Sequence, residues 1–369
     1  MSEDISFELN ENTYQKLLEK KENSGFKNKS WNEWFSNFIS DENSYSKILE
    51  NVFEKKNYDV YFDDWINNFK NNLTDIQNGN SAKKLVPEKP YQSGIVIGGG
   101  PSLKKFDHLK ILADSTFDGP IICCDSVISN VLEAGITPDK FKNFFVVGID
   151  TQDHQKQWFE KDIVKQYGNK IKCIISTTVH PSTYKAIIDV SMEVYWVHAL
   201  FDYDRGKTSF NYISGMLSRS EKNEKGFPGI QTGGNVGTSA WTISWNILKC
   251  LEVILIGFDH SYPIDMLDDK IDINSVGRTH PILHDYLEKI QSGEDTSESS
   301  KQAFPIDYNP DFNCKFIQDP VFLYYSNALK EFIAKTKNKV KTINATQGGA
   351  IFGDGIYSMK LKDLLNKYN

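Results

Sequence analysis

The stretch SGIVIGGGPSL, residues 93–103, decides the fold. It opens with a β-branched apolar run, Ile95, Val96 and Ile97, and breaks at once into Gly98, Gly99 and Gly100, then Pro101, Ser102 and Leu103. Beyond it the apolar residues change period. Leu103, Phe106, Leu109 and Leu112 recur at every third position, as on one face of a helix. The spacing predicts a strand, a tight glycine turn and a helix start. Glycines lack Cβ, so the chain can turn sharply and a ligand can approach the backbone. Pro101 suits a first helical turn, Ser102 suits a cap, and free N–H groups at a helix N-terminus hold phosphate. A plain strand-to-helix turn satisfies the same residues. The pattern is neither GxGxxG nor a P-loop, since no Gly-Lys-Ser/Thr follows.

Outward from this stretch, strand and helix patterns alternate. Candidate strands are 94–97, 121–124, 144–149, 171–176, 194–197, 253–256 and 340–343, separated mostly by helical stretches. The alternation predicts an α/β, Rossmann-like fold with a mainly parallel sheet and helices on both faces. In such sheets ligands bind beyond the carboxyl ends of the strands. Polar residues gather at those ends: Asp125, Asp150, Ser176 to Thr178 with His180, His198, Asp259 with His260, and Asn344. Asp125 and Asp150 also suit simple helix capping. A second glycine nest, containing Gly233, Gly234, Asn235, Gly237 and Thr238, precedes a helical pattern over 240–251. Two nests fit a ligand with phosphate at one end and polar groups along its length.

Composition bounds the rest. The 369 residues carry 39% hydrophobic and 25% charged side chains, as soluble globular chains do. A net charge of −7 disfavours nucleic-acid binding. The five cysteines include no CxxC pair and read as free thiols, four of them within or beside apolar runs. The acidic start, MSEDISFELNEN, has no apolar signal core, and no run approaches the ~20 apolar residues that span a membrane, so a cytoplasmic location is expected. Residues 1–85 read as an N-terminal helical region. Trp31, Trp34, Phe35 and Phe38 share one helix face, and Phe62, Trp65, Ile66, Phe69, Leu73 and Ile76 share another. A cap packed on the main domain accounts for these aromatics, and a partner-docking face is the alternative. Residues 78–92 read as a linker, 86–369 as the main domain, and 199–230 and 260–312 as long loops, the second a lid insertion.

Five motifs occur in order: GGGPSLKK, CCDSVISNVLEAGITPDKF, GGNVGTSA, LIGFDHSY and NATQGGA. Together they resemble the superfamily of 6-hydroxymethylpterin diphosphokinase MptE-like proteins and motility accessory factor (Maf) flagellin glycosyltransferases, over about 93–360. The resemblance implies one of two chemistries. In the diphosphokinase branch an acidic run holds Mg²⁺ against a triphosphate. Here that position reads Val147, Gly148, Ile149, Asp150 and Thr151, with Asp153 nearby, so Asp150 and Asp153 are the metal candidates. There is also local similarity to Rossmann-type bacterial sialyltransferases, which use CMP-activated acidic sugars. Gly257, Asp259 and Tyr262 match the strand end of that pattern, and Arg278 with His280 matches its histidine context. That pattern carries Asn in the first glycine turn, where this chain has Gly99.

The leading expectation is therefore a nucleotide-sugar-dependent glycosyltransferase needing no cofactor. Its donor is a nucleotide-activated small molecule and its acceptor a sugar or protein. Gly98, Gly99, Gly100, Ser102, Asp125, Asp150, Gly234, Asn235, Gly237, Thr238 and Arg278 are expected on the nucleotide and its phosphates. His280 is expected as base, with Asp259 orienting it or a ribose hydroxyl and Tyr262 on the leaving phosphate. Packing explains Tyr262 equally well, and a surface loop explains His280. Asp202 and Asp204 form a DxD triplet held as a reserve metal site. The spacing of His280 and His284 suits zinc, but no third ligand accompanies them. The alternatives are an ATP-dependent pterin diphosphokinase using Mg²⁺, and a non-catalytic nucleotide-binding partner protein.

Overall fold

Strands buried on both faces read as unbroken apolar runs. In the computed structural model Ile95 and Ile97 enter one core while Val96 enters the other. Ile121 and Cys123 alternate with Ile122 in the same way, as do Phe144 and Val146 with Phe145 and Val147. The structure describes residues 60–201, 209–264, 292–294 and 304–366, the backbone of 42–59, and isolated positions 14, 15, 18, 21 and 289. The chain divides into two compact units, Met1–Glu54 and Lys55–Asn369. Trp31, Trp34, Phe35, Phe38, Asp202, Asp204, Arg278, His280 and His284 lie outside the described residues.

In the second unit the strands are β1 (Asn80–Ser81), β2 (Ser93–Ile97), β3 (Ile121–Cys124), β4 (Phe144–Gly148), β5 (Lys172–Ser176), β6 (Glu193–Ala199), β7 (Gly229–Ile230) and β8 (Glu252–Ile256). They continue with β9 (Tyr262–Pro263), β10 (Ile306–Asn309), β11 (Cys314–Ile317), β12 (Lys341–Asn344) and β13 (Ile356–Ser358). Among the described residues the main sheet runs β1-β6-β5-β4-β3-β2-β8-β12-β13, with β7 paired to β6. Every pairing in it is parallel. From β2 the chain steps outward one strand at a time to β6. It then returns to lay β8 on the other side of β2, where Ile97 registers with Ile256. The strand order therefore reverses between β2 and β8, which is where ligands bind in open α/β sheets.

Several elements differ from the sequence expectation. The helix after Pro101 is broken into Ser102–Lys105 and His108–Ala113, because Asp107 adopts a left-handed φ of 51° between them. The helix expected over 240–251 spans Val236–Asn246. Its start is set by Asn235, whose side chain accepts the Thr238 N–H at 2.9 Å. The stretch expected as a linker supplies β1 and a short 3-10 turn with Ala82 fully buried. The domain boundary expected at residue 85 is replaced by one at Lys55. The reason is burial: Trp65, Phe69 and Ile76 belong to the core under the sheet. Trp65 stacks on Phe201 at 4.3 Å, and Asn68 and Asn72 donate to the carbonyls of Thr151, Thr178 and Val179. The loop expected over 199–230 contains the helix Phe210–Leu217 and β7. Within 260–312, β9 and β10 join β11 in a separate antiparallel sheet, ordered β10-β11-β9. No helix among the described residues is long and apolar enough to cross a membrane.

Candidate functional site

At the reversal the loops after β2 and β8 pass so closely that only glycine fits. A Cβ on Gly98 would lie 2.6 Å from the Gly257 carbonyl oxygen, and one on Gly100 would lie 1.8 Å from Asp259 Oδ2. The approach is fixed by hydrogen bonds. Gly98 donates to Ile256 O at 2.9 Å and Gly100 to Gly257 O at 2.8 Å. Ser102 Oγ donates to Asp259 Oδ2 at 2.6 Å, and the Ser102 amide points at the same oxygen at 3.4 Å. The amides of Gly98, Gly100 and Ser102 are thus engaged within the protein, and the Asp259 carboxylate sits where a phosphate was expected. Gly99 differs. It is exposed, and a Cβ there would meet only Val127 Cγ1 at 3.3 Å and Ser126 Oγ at 3.7 Å.

The second nest lies across one aromatic ring from the first. Phe258 Cδ2 is 3.1 Å from a Cβ built on Gly98, and Phe258 Cε1 is 3.1 Å from one built on Gly237. Gly233 and Gly234 turn through left-handed φ values of 54° and 81°. Asn235 donates to Thr238 Oγ1 and the Gly233 carbonyl. Val236 and Gly237 open the helix, and N–H groups at these positions have no intrahelical acceptor.

Toward β4 the edge is acidic. Asp125 is buried at the end of β3, with Oδ1 accepting the Ser126 amide at 2.8 Å and Oδ2 facing Gly148. Burial, reinforced by the charge of Asp150, pushes the Asp125 carboxyl up to about 8. Asp150 is exposed and accepts from Gln155 Nε2 at 3.4 Å, while Asp153 pairs with Lys156 at 3.4 Å. Among the described residues no three His, Cys, Asp or Glu side chains cluster as metal ligands.

Toward β12 the edge opens into a cavity of about 280 Å³. Ser102, Lys105 and Phe106 line it from the first loop, Lys315 and Phe316 from β11, and Gln347 to Gly349 from the loop after β12, with Asp259 among them. Burial raises the Asp259 carboxyl to about 7, although the Ser102 hydroxyl and amide pull it down. The backbone of Asp259 is pinned, its carbonyl accepting the Ala350 amide at 2.8 Å and the Ser261 hydroxyl at 3.0 Å.

Of the remaining polar strand ends, His198, His180 and Tyr262 are consumed by structure, whereas His260 Nδ1 is buried without a hydrogen-bond partner among the described residues. His198, held well below the usual histidine range at about 4 by burial, bonds Thr177 Oγ1 and Ser214 Oγ. Ser214 already donates to Phe210 O at 2.6 Å, so its oxygen accepts from His198 Nε2–H and Nδ1 accepts from Thr177. His180 caps the helix Pro181–Asp189. Tyr262 is fully buried and donates to Asp319 Oδ2 at 2.9 Å, so its hydroxyl serves packing and the cap of the helix Pro320–Thr336. Lys105 and Lys315 were not expected at the site, and the Gln347 loop was expected only as a polar strand end and a motif without a role. The KK of GGGPSLKK and the NATQGGA motif were signals for the first and last. Lys315 has none, because its strand is short and pairs with distant partners.

Comparison with known proteins adds the following. No curated protein matches the chain. Among solved structures, the Maf glycosyltransferase of Magnetospirillum magneticum AMB-1 is similar at 15% identity and a TM-score of 0.49, over 79% of this chain and 39% of that one. The family model described as 6-hydroxymethylpterin diphosphokinase MptE-like matches residues 67–265, more than half of the chain and inclusive of both glycine nests. The chain therefore belongs to the 6-hydroxymethylpterin diphosphokinase MptE-like family.

Proposed function

We propose that this protein is a transferase that takes its donor from a nucleotide-activated small molecule, with glycosyl transfer from a nucleotide sugar as its reaction. The observation that carries the reading is the placement of two glycine nests on either side of Phe258 at the strand-order reversal. The donor phosphates are assigned to Gly99 and to the N-terminus of the helix Val236–Asn246, since Asp259 already occupies the amide of Ser102. Backbone donors fixed there stabilise the charge that develops on a departing phosphate. Calorimetry with CMP-, UDP- and GDP-sugars tests this. One of them is expected to bind and to release its nucleotide slowly in the presence of an acceptor, and a protein that binds none of them refutes it.

A second reading rests on the buried carboxylate beside Asp150. Asp125 Oδ2 faces Gly148 at the end of β4 and Asp150 follows two residues on, so these two carboxylates would hold Mg²⁺ in a diphosphokinase. Bound Mg²⁺ would neutralise charge on the phosphates of ATP. In that case Asp150→Asn abolishes turnover of ATP with hydroxymethyl-dihydropterin. A glycosyltransferase would keep its chemistry and change only nucleotide affinity or the local turn.

A further inference from the structure

We propose that the cavity between Asp259 and β11 is the acceptor subsite, and that Asp259 is the base that takes the proton of the acceptor hydroxyl. The inference rests on the transferase reading above; the role of Asp259 as base does not depend on which group is transferred, whereas the acidic-sugar ligand belongs to the glycosyl reading.

Three features of the cavity converge. Asp259 is 5% exposed, yet it lines the cavity. Both of its bonds to Ser102 are made by Oδ2, which leaves Oδ1 outside that pair, and the Asp259 amide also favours the carboxylate. A carboxylate pinned in this way suits proton transfer better than ion pairing, because its position does not drift during the reaction. The cavity walls then set the ligand class. Half-buried Phe106 offers ring surface to a sugar-sized body, Phe316 is buried in the wall behind it, and the exposed Lys315 brings a positive charge beside Lys105. A hydroxylated ring bearing one anionic group, as an acidic sugar does, satisfies both. Ser102 and Asp259 line the cavity, while Gly99 and the residues of the second nest do not, so the surfaces assigned to acceptor and donor phosphate are made by different residues. The resemblance assigns the base to His280; the described geometry assigns it to Asp259.

In the glycosyl reaction the acceptor O–H bond breaks and its proton passes to Asp259 Oδ1. The oxygen forms a bond to the anomeric carbon, and the bond from that carbon to the nucleotide phosphate breaks, its electron pair leaving on the phosphate oxygen. In diphosphoryl transfer the same hydroxyl oxygen attacks the β-phosphorus and AMP leaves. The raised carboxyl matches the requirement that a base titrate near working pH. Among the described residues the other titratable groups facing the cavity are Lys105, Lys315 and Cys314.

Two experiments test the proposal. Cys314 lines the cavity and is half-buried, whereas the other four cysteines are buried, so iodoacetamide reports occupancy. Glucuronate is expected to slow Cys314 alkylation severalfold and glucose to have little effect, with protection lost in Lys315→Ala. Absence of protection by glucuronate, or equal protection by glucose, overturns the acidic-sugar subsite. In turnover, Asp259→Asn is expected to lower the transfer rate by about 10²–10⁴-fold while nucleotide affinity is kept. Ser102→Ala supplies a signature that a structural role would not give. Losing a hydrogen bond to the carboxylate raises its pKa, so the ascending limb of the pH–rate profile moves to higher pH. A limb that stays in place in Ser102→Ala, or transfer that survives Asp259→Asn, overturns the base assignment. Protection without turnover of any nucleotide sugar would instead refute the glycosyl reading and leave the subsite standing.

Discussion

Gly99 and Gly100 are neighbours with different duties. Gly100 is glycine because Asp259 leaves no room, whereas Gly99 is exposed and a Cβ there needs only Val127 Cγ1, at 3.3 Å, to give way slightly. Gly100→Ala is therefore expected to destabilise by about 1–3 kcal/mol through overpacking. Gly99→Ala should stay within about 0.5 kcal/mol of the parent, as surface changes do. Urea denaturation of both variants checks the contrast. The buried acid at Asp125 adds a pH dependence. Its folded pKa lies above the unfolded value, so the folded state holds the proton more tightly. Stability contributed by the protonated form is full below about pH 4 and is lost as pH rises through about 8. Asp125→Asn should thus gain in melting temperature relative to the parent between pH 5 and 9, roughly following that titration. A difference that stays flat with pH would show that the carboxyl titrates normally.

At the scale of elements, the helix Glu42–Asn78 shows what the sequence pattern reveals and what it hides. Its apolar face was legible from spacing, and Trp65, Phe69 and Ile76 do turn inward. What periodicity does not give is the partner: Trp65 meets Phe201, which follows β6 far along the chain. Trp65→Ala is expected to cost about 3–5 kcal/mol, read as a lowered urea midpoint with an unchanged slope. The strand after the linker and the glycine turn were legible for a local reason, since β-branched runs and glycines act through adjacent residues. The antiparallel β9, β10 and β11 were not. They are short and gain their shape from pairings such as Phe316 with Pro263, which no local pattern encodes. The break at Asp107 was hidden too, because the apolar period continues through it.

At the scale of the molecule, the strand order lines up four close contacts along one edge. Asp125 meets Gly148, Ser126 meets Gly99, Gly100 meets Asp259, and Asp259 meets Gly349, so the ends of β4, β3, β2, β8 and β12 form a continuous line. The sequence placed the polar strand ends on that line but did not separate those that are spent. His198 and Tyr262 are buried in structure, while Asp259 and Asp125 keep carboxyl oxygens toward the edge. The distinction depends on tertiary partners, Ser214 and Asp319 among them, which lie outside the motifs. The central claim is that this edge binds a nucleotide-activated donor through its glycine nests. The most direct measurement is isothermal calorimetry of CMP-, UDP- and GDP-sugars, and of ATP with and without Mg²⁺, on the parent and on Gly99→Val. The account predicts that at least one nucleotide sugar binds without Mg²⁺ and that Gly99→Val, still folded, loses that binding because its side chain blocks approach to the backbone. Binding of none of these nucleotide sugars, or unchanged affinity in the folded variant, would contradict it.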